Sequence, residues 1–181
     1  MKMINPVNKW IAGTLACTML FTMPGKTQGT TKLTDPEIAS VAVTANQIDI
    51  DNAAIALKKS KDQDVLKFAQ TMTSDHKAVI DQAVKLVTKL GVTPKDNGMS
   101  QKLLADAKKS QKSLNGKSGT EFNKAYVDNE VAYHKAVISA IETVLIPQSQ
   151  NKELKDLLVN VLPAFKTHLE HAEMLQSKLP K

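Results

Sequence analysis

The chain has one cysteine, Cys17, and no arginine among its 181 residues. A lone cysteine closes no disulfide within the chain and cannot build the multi-thiolate sites of structural zinc or iron–sulfur proteins. Arginine is the usual bidentate reader of bases and phosphates, so its absence argues against nucleic-acid recognition. Aromatic residues make up only 4% and fall at core spacing rather than among the lysines. The lysines alternate with acids, as on a solvated helix face. No apolar run reaches the roughly 20 residues of a membrane span. Strand-like alternation, a Gly-x-Ser-x-Gly elbow and a phosphate-binding glycine loop are also missing.

The N-terminus has a composition of its own. Lys2 and Lys9 precede an apolar run from Trp10 to Met23, followed by Pro24 and the small residues Gly25, Thr27 and Gly29. This order is that of a secretory signal peptide, with cleavage expected after Gly29. Leu15-Ala16-Cys17 offers a second reading, a lipoprotein signal with Cys17 lipidated. Cleavage after Gly29 would also remove Cys17 and Trp10, and with Cys17 the thiolate that a blue-copper site requires. Removing Lys2, Lys9 and Lys26 leaves 21 lysines against 18 acids, a formal charge of +3. The expected organisation is a signal peptide at 1–29, a linker at 30–34 and one domain at 35–179, located in the periplasm.

Four long helices and one short one are expected in that domain. Thr34-Asp35-Pro36-Glu37 starts helix A, whose stripe of Ile38, Ala42, Ala45, Asp49, Ala53 and Ala56 runs to about Ser60. Helix B begins at Asp62 or Asp64 with Val65, Phe68, Met72, His76, Val79, Ala83 and Leu86 on one face, and ends at Leu90-Gly91. Met99 to Leu114 forms a shorter helix in the B–C connection. Helix C carries Phe122, Tyr126, Glu130, His134, Val137, Ile141 and Leu145, and Pro147 closes it. Helix D spans about 151–178 with Leu154, Leu158, Val161, Phe165, His168, Ala172 and Leu175, and Pro163 should kink it or force a local rearrangement. The fold class is therefore all-α. Short A–B and C–D connections and a long B–C crossing suit a ferritin-like four-helix bundle.

Polar, titratable groups are costly to bury unless they are paired or bind something. Yet His76, His134 and His168 lie on the apolar faces of three helices, and Asp49 on that of a fourth. Counting from the A–B turn, Asp49 and His76 differ in depth by about 5 Å. Counting from the C–D turn, Glu130 and His168 are nearly level and His134 is one turn away. A metal centre of His76, His134 and His168, completed by Asp49 or Glu130, would suit zinc, copper or iron. Met72, one turn before His76, would favour copper, and His171 could join His168 as a His-x-x-His pair. Taken alone, Met72 reads as core filler and His171 as an exposed neighbour. The alternative is a metal-free polar network, with Asp75 beside His76 and with Tyr126, Glu130 and Tyr133 around His134. Di-iron carboxylate chemistry needs Glu-x-x-His pairs, and the residues three before the histidines are Thr73, Val131, Phe165 and His168. An exported binding protein for storage, buffering or stress protection is expected ahead of an enzyme. Partners beyond a metal ion and the oligomeric state stay open.

Phe68-Ala69-x-x-Met72-x-x-Asp75-His76, Tyr126 with His134, and Leu162-Pro163 with His168-Leu169 and Ala172 resemble the motifs of the domain of unknown function 4142 family. The resemblance runs from about Asp35 to Leu179. It implies an exported ferritin-like helical domain of the bacterial envelope, and treats the three histidines as a set. The family's Asn-x-x-Glu on helix A stands here as Asn46-Gln47-Ile48-Asp49, an acid one methylene shorter. The family pattern puts a hydrophobic residue where this chain has His171.

Overall fold

A computed structural model describes residues 32–180, so the expected signal peptide and the start of the linker lie outside the described residues. Most of the long helices begin where side chains can take up their free amides. α1 (Asp35–Lys59) starts beside Thr34, whose amide and hydroxyl donate to Glu37 Oε2 at 2.9 and 2.7 Å, with Pro36 in the first turn. α2 (Gln63–Leu90) is capped by Asp62, which accepts from the amides of Asp64 and Val65. It ends at Gly91, whose φ of 63° few other residues adopt cheaply. There the Val92 amide donates back to Val87 O at 2.9 Å. α3 (Gly98–Asn115) and α6 (Lys152–Lys178) start at the asparagine caps Asn97 and Asn151. The expected boundaries agree with these to within a residue or two.

Helix C departs from expectation. α4 (Gly119–Ala140) widens into a π-helical turn at Ile141–Leu145 before the last turn, α5 (Ile146–Gln148). Pro147 accounts for this position, because in a regular helix its ring would meet the carbonyl of Thr143. The wider turn lets the Ile146 amide donate to Ile141 O instead. Pro163, where a rearrangement was expected, sits inside an unbroken α6. Pro163 and Val159, whose carbonyl loses its helical donor, are both exposed, so water can take that bond.

Among the described residues there is no strand, and no helix is long and apolar enough to cross a membrane. α1 packs on α2, α2 on α6, α6 on α4 and α4 on α1, while α3 lies against α1 and α4. The interior contains two apolar clusters. One gathers Ala53, Phe68, Met72, Phe122, Tyr126 and Leu175, the other Ile38, Val41, Ile138, Leu154, Leu158 and Phe165. α1 and α6 run from the second cluster to the first, α2 and α4 from the first to the second. Consecutive long helices are thus antiparallel within each pair, and α3 returns the chain between the pairs. The polar residues of all four helices fall in the layer between the clusters.

Candidate metal centre

On α1 that layer is supplied by Asn46, Asp49 and Asn52, three residues apart and therefore on one helix face. All three are at most 4% exposed, and Asp49 is fully buried. α2 adds His76, α4 adds Glu130 and His134, and α6 adds His168, all buried. The three imidazoles form a near-equilateral triangle. Ring centroids are 5.6 Å apart for His76–His134, 5.3 Å for His76–His168 and 5.6 Å for His134–His168. One ring nitrogen from each lies within 4.8 Å of the others. Asp49, Glu130 and His134 form a second such group, with His134 common to both.

Each ring is held by one nitrogen and leaves the other unspent. His76 Nδ1 meets Asn46 Oδ1 at 2.8 Å, His134 Nδ1 meets Glu130 O at 3.0 Å, and His168 Nε2 meets Asp75 Oδ2 at 2.9 Å. Those acceptors fix the tautomer, because the nitrogen facing them must carry the proton. His76 Nε2, His134 Nε2 and His168 Nδ1 are left buried without a hydrogen-bond partner. Asp49 Oδ2 lies 3.4 Å from His76 Nε2 and 3.6 Å from His134 Nε2. Both oxygens of Asp49 and both of Glu130 also lack partners.

Burial sets the charge of this layer. It pushes Asp49 up to about 8. Burial and then the neighbouring Asp49 push Glu130 well above the usual carboxylate range. Burial, followed by repulsion from His134 and His168, lowers His76 to about 2, and burial lowers His134 to about 4. Near neutral pH both acids are therefore protonated and both of these imidazoles neutral. Burial, then Glu130 and Asp49, also raise the Tyr126 hydroxyl, which stays protonated.

All five expected site residues, His76, His134, His168, Asp49 and Glu130, thus lie in this layer. Two details differ from the depth count. Asp49 and His76 touch despite their nominal offset, and the His134 ring rather than Glu130 faces His168. Helical side chains lean towards the N-terminus, so a residue covers the turn before its own Cα. His134 accordingly reaches back to the level of Glu130 O.

The immediate neighbours of the rings differ more from expectation. Asp75 holds His168 rather than His76, as it must, since adjacent residues on a helix point about 100° apart. Asn46 is the partner of His76, and its three-residue spacing from Asp49 is the sequence signal that points to it. Tyr133 donates to Ala45 O at 2.8 Å rather than to His134. His171 is half-buried, edge-on to Phe68 at 5.2 Å, and stands outside both groups of converging ligand atoms. Burial lowers its pKa from the ordinary value. Met72 is fully buried in the apolar cluster of Phe68 and Tyr126.

A helical domain with an interior layer of histidines and carboxylates that could hold a metal ion is the class these observations define. A family model described as a domain of unknown function (DUF4142) matches residues 22–175, and the chain belongs to that family. No curated protein and no solved structure matches it.

Proposed function

We propose that the protein is an exported, periplasmic ferritin-like four-helix bundle that binds a transition metal ion through His76, His134 and His168. Asp49 is the nearest fourth ligand, and Glu130 stands behind it. The role is storage, buffering or protection against metal stress. The observation that carries this reading is the set of three unspent ring nitrogens. An anchored imidazole with its second nitrogen free, in a cluster whose ligand atoms lie within 4.8 Å of one another, is what metal-ligating histidines present. A tetrahedral centre with bonds of about 2.0–2.2 Å has ligand-to-ligand edges of about 3.3–3.6 Å. The two edges from Asp49 Oδ2, at 3.4 and 3.6 Å, meet that requirement. Zinc fits this ligand set best, with copper and iron also accommodated by imidazole. The antiparallel α1–α2 and α4–α6 pairs, with α3 returning between them, support the bundle topology. The basic, apolar and small-residue order from Lys2 to Gly29 supports export.

A second reading has an observation of its own. With both acids protonated and the His76 and His134 imidazoles neutral, these four groups place no unpaired charge in the layer, so a metal-free network that specifies packing is electrically tolerable. Its weakness is the number of buried polar atoms left without partners. Metal analysis of untagged protein isolated from the periplasm decides between them, beside a His76→Ala/His134→Ala/His168→Ala variant. Stoichiometric metal in the wild type alone supports the metal reading. Free metal at a hundredfold excess over Kd should add about 2.7 kcal/mol of stability, a rise of roughly 5–10 °C in Tm. Wild type that is empty, with a Tm unmoved by zinc, copper or iron, leaves the packing reading standing.

A further inference from the structure

Beside the histidine layer, on the side of Ile38 and Phe165, is a cavity of about 480 Å³. That is the size of small-molecule sites, which run from about 300 to 1,000 Å³. Its wall takes Ala45 from α1, Ala83 from α2, Leu103 from α3, Val137 from α4 and Leu158 from α6. The wall is long. On α4 and the π-helical turn it extends from Asn129 to Leu145, roughly 24 Å, and on α6 from Leu154 to Phe165, roughly 16 Å.

Most polar groups in the inner wall are already engaged, the exception being Asn129, whose Nδ2 has no hydrogen-bond partner. Asn46 Nδ2 donates to Ala42 O and its Oδ1 faces His76, while the Tyr133 hydroxyl donates to Ala45 O. An interior of this kind offers water too few partners to hold it, and apolar cavities stay dry and take up apolar molecules. Left empty, it forfeits dispersion contacts along its whole length and lowers stability in proportion to its volume.

The cavity reaches the surface between α3 and α4. There its lining includes the exposed Ala132 and Ala136 of α4 and the exposed Lys102–Asp106 pair of α3. We propose that this cavity binds one linear aliphatic chain of the fatty-acyl class. The tail lies along α4 and α6, and the polar head stays at the Lys102–Asp106 rim. An elongated, mostly apolar cavity with a charged pair at its exposed rim fits a molecule with one apolar end and one polar end. Asn46 and Phe165 belong to this wall and also touch His76, with Phe165 stacked on its ring at 5.0 Å. The two sites are therefore neighbours, but the acyl site needs no metal.

The test uses the full chain, delipidated and treated with chelator, titrated calorimetrically with alkanoates from hexanoate to dodecanoate below their micellar concentrations. One chain per protein is expected, with affinity rising about fourfold per added methylene until the cavity is filled. Ala83→Phe and Ala107→Leu place bulk in the wall. Each should weaken dodecanoate at least tenfold while holding or raising the ligand-free Tm. Absence of dodecanoate binding by the wild type, affinity independent of chain length, or undiminished binding by a folded wall variant would overturn the proposal. The chain-length series requires no variant, so it decides the matter even if a substitution misfolds. Success or failure here is read on metal-free protein, separately from the histidine site.

Discussion

The raised carboxyl of Asp49 makes the metal-free protein respond to pH against the common trend. Folded Asp49 titrates near 8, whereas an aspartate in an unfolded chain titrates near 3.9. Between those values the folded chain holds a proton that the unfolded chain has released, so stability falls as pH rises. Each pH unit in this range is worth about 1.4 kcal/mol, giving about 2 kcal/mol lost between pH 6.5 and 8 from Asp49 alone. Glu130 is raised too and steepens the same slope. His76 and His134 act in the opposite direction. Their folded values, near 2 and near 4, lie below the unfolded 6.5, so their contribution is lost as pH drops below 6.5. From about 4.5 to 6.5 the two ramps oppose, and above 6.5 only the acids remain. The half-buried Glu37 and the exposed Asp96 and Asp106 have lowered values and titrate below this window. The expected profile is a maximum in mild acid and a decline towards pH 8. Urea unfolding followed by circular dichroism from pH 5 to 8, in chelator, measures it. Asp49→Asn cannot titrate and should remove the Asp49 share of the slope. Wild-type stability that is level or rising from pH 6.5 to 8, or an unchanged slope in the variant, would contradict a buried, protonated Asp49. Saturating metal should flatten or invert the decline, because a bound ion displaces the protons of its ligands.

Asp75→Ala removes the acceptor that fixes His168 while leaving the apolar interior alone. Metal affinity should drop roughly 10- to 100-fold with helicity unchanged, as read by competition with a chromophoric chelator. Asp62→Ala deletes the α2 cap and should cost about 1 kcal/mol in urea unfolding, without effect on metal stoichiometry.

The helices were legible because each long one shows 3.6-residue periodicity between clear start and stop residues. Asp62 and Gly91 bracket α2 in both the sequence and the structure. The convergence of the histidines was legible for the same reason, since three apolar faces sharing one interior must bring their midpoints together. What holds the rings was not. The partner of His76 comes from α1 and that of His168 from α2, and helix-to-helix pairing depends on rotation and side-chain lean that one stripe does not encode. The π-helical turn is a similar case. Pro147 reads simply as a stop, although the chain absorbs it by loosening five residues upstream. The cavity had no signature, because Ala45, Ala83 and Ala107 look like ordinary small core residues until their neighbours are placed.

The three ring anchors are not equally sheltered. Asn46 and the Glu130 carbonyl belong to fully interior residues, but the Asp75 side chain is 47% exposed. The wall around the cluster is therefore thinnest at His168, and on the metal reading a hydrated cation arriving from outside meets the Asp75 carboxylate first. Breaking that one contact would loosen His168 alone, since Asn46 and the Glu130 carbonyl still hold the other two rings. Loading and unloading an ion would then proceed through a hinged ring at one side, with the remainder of the interior left closed.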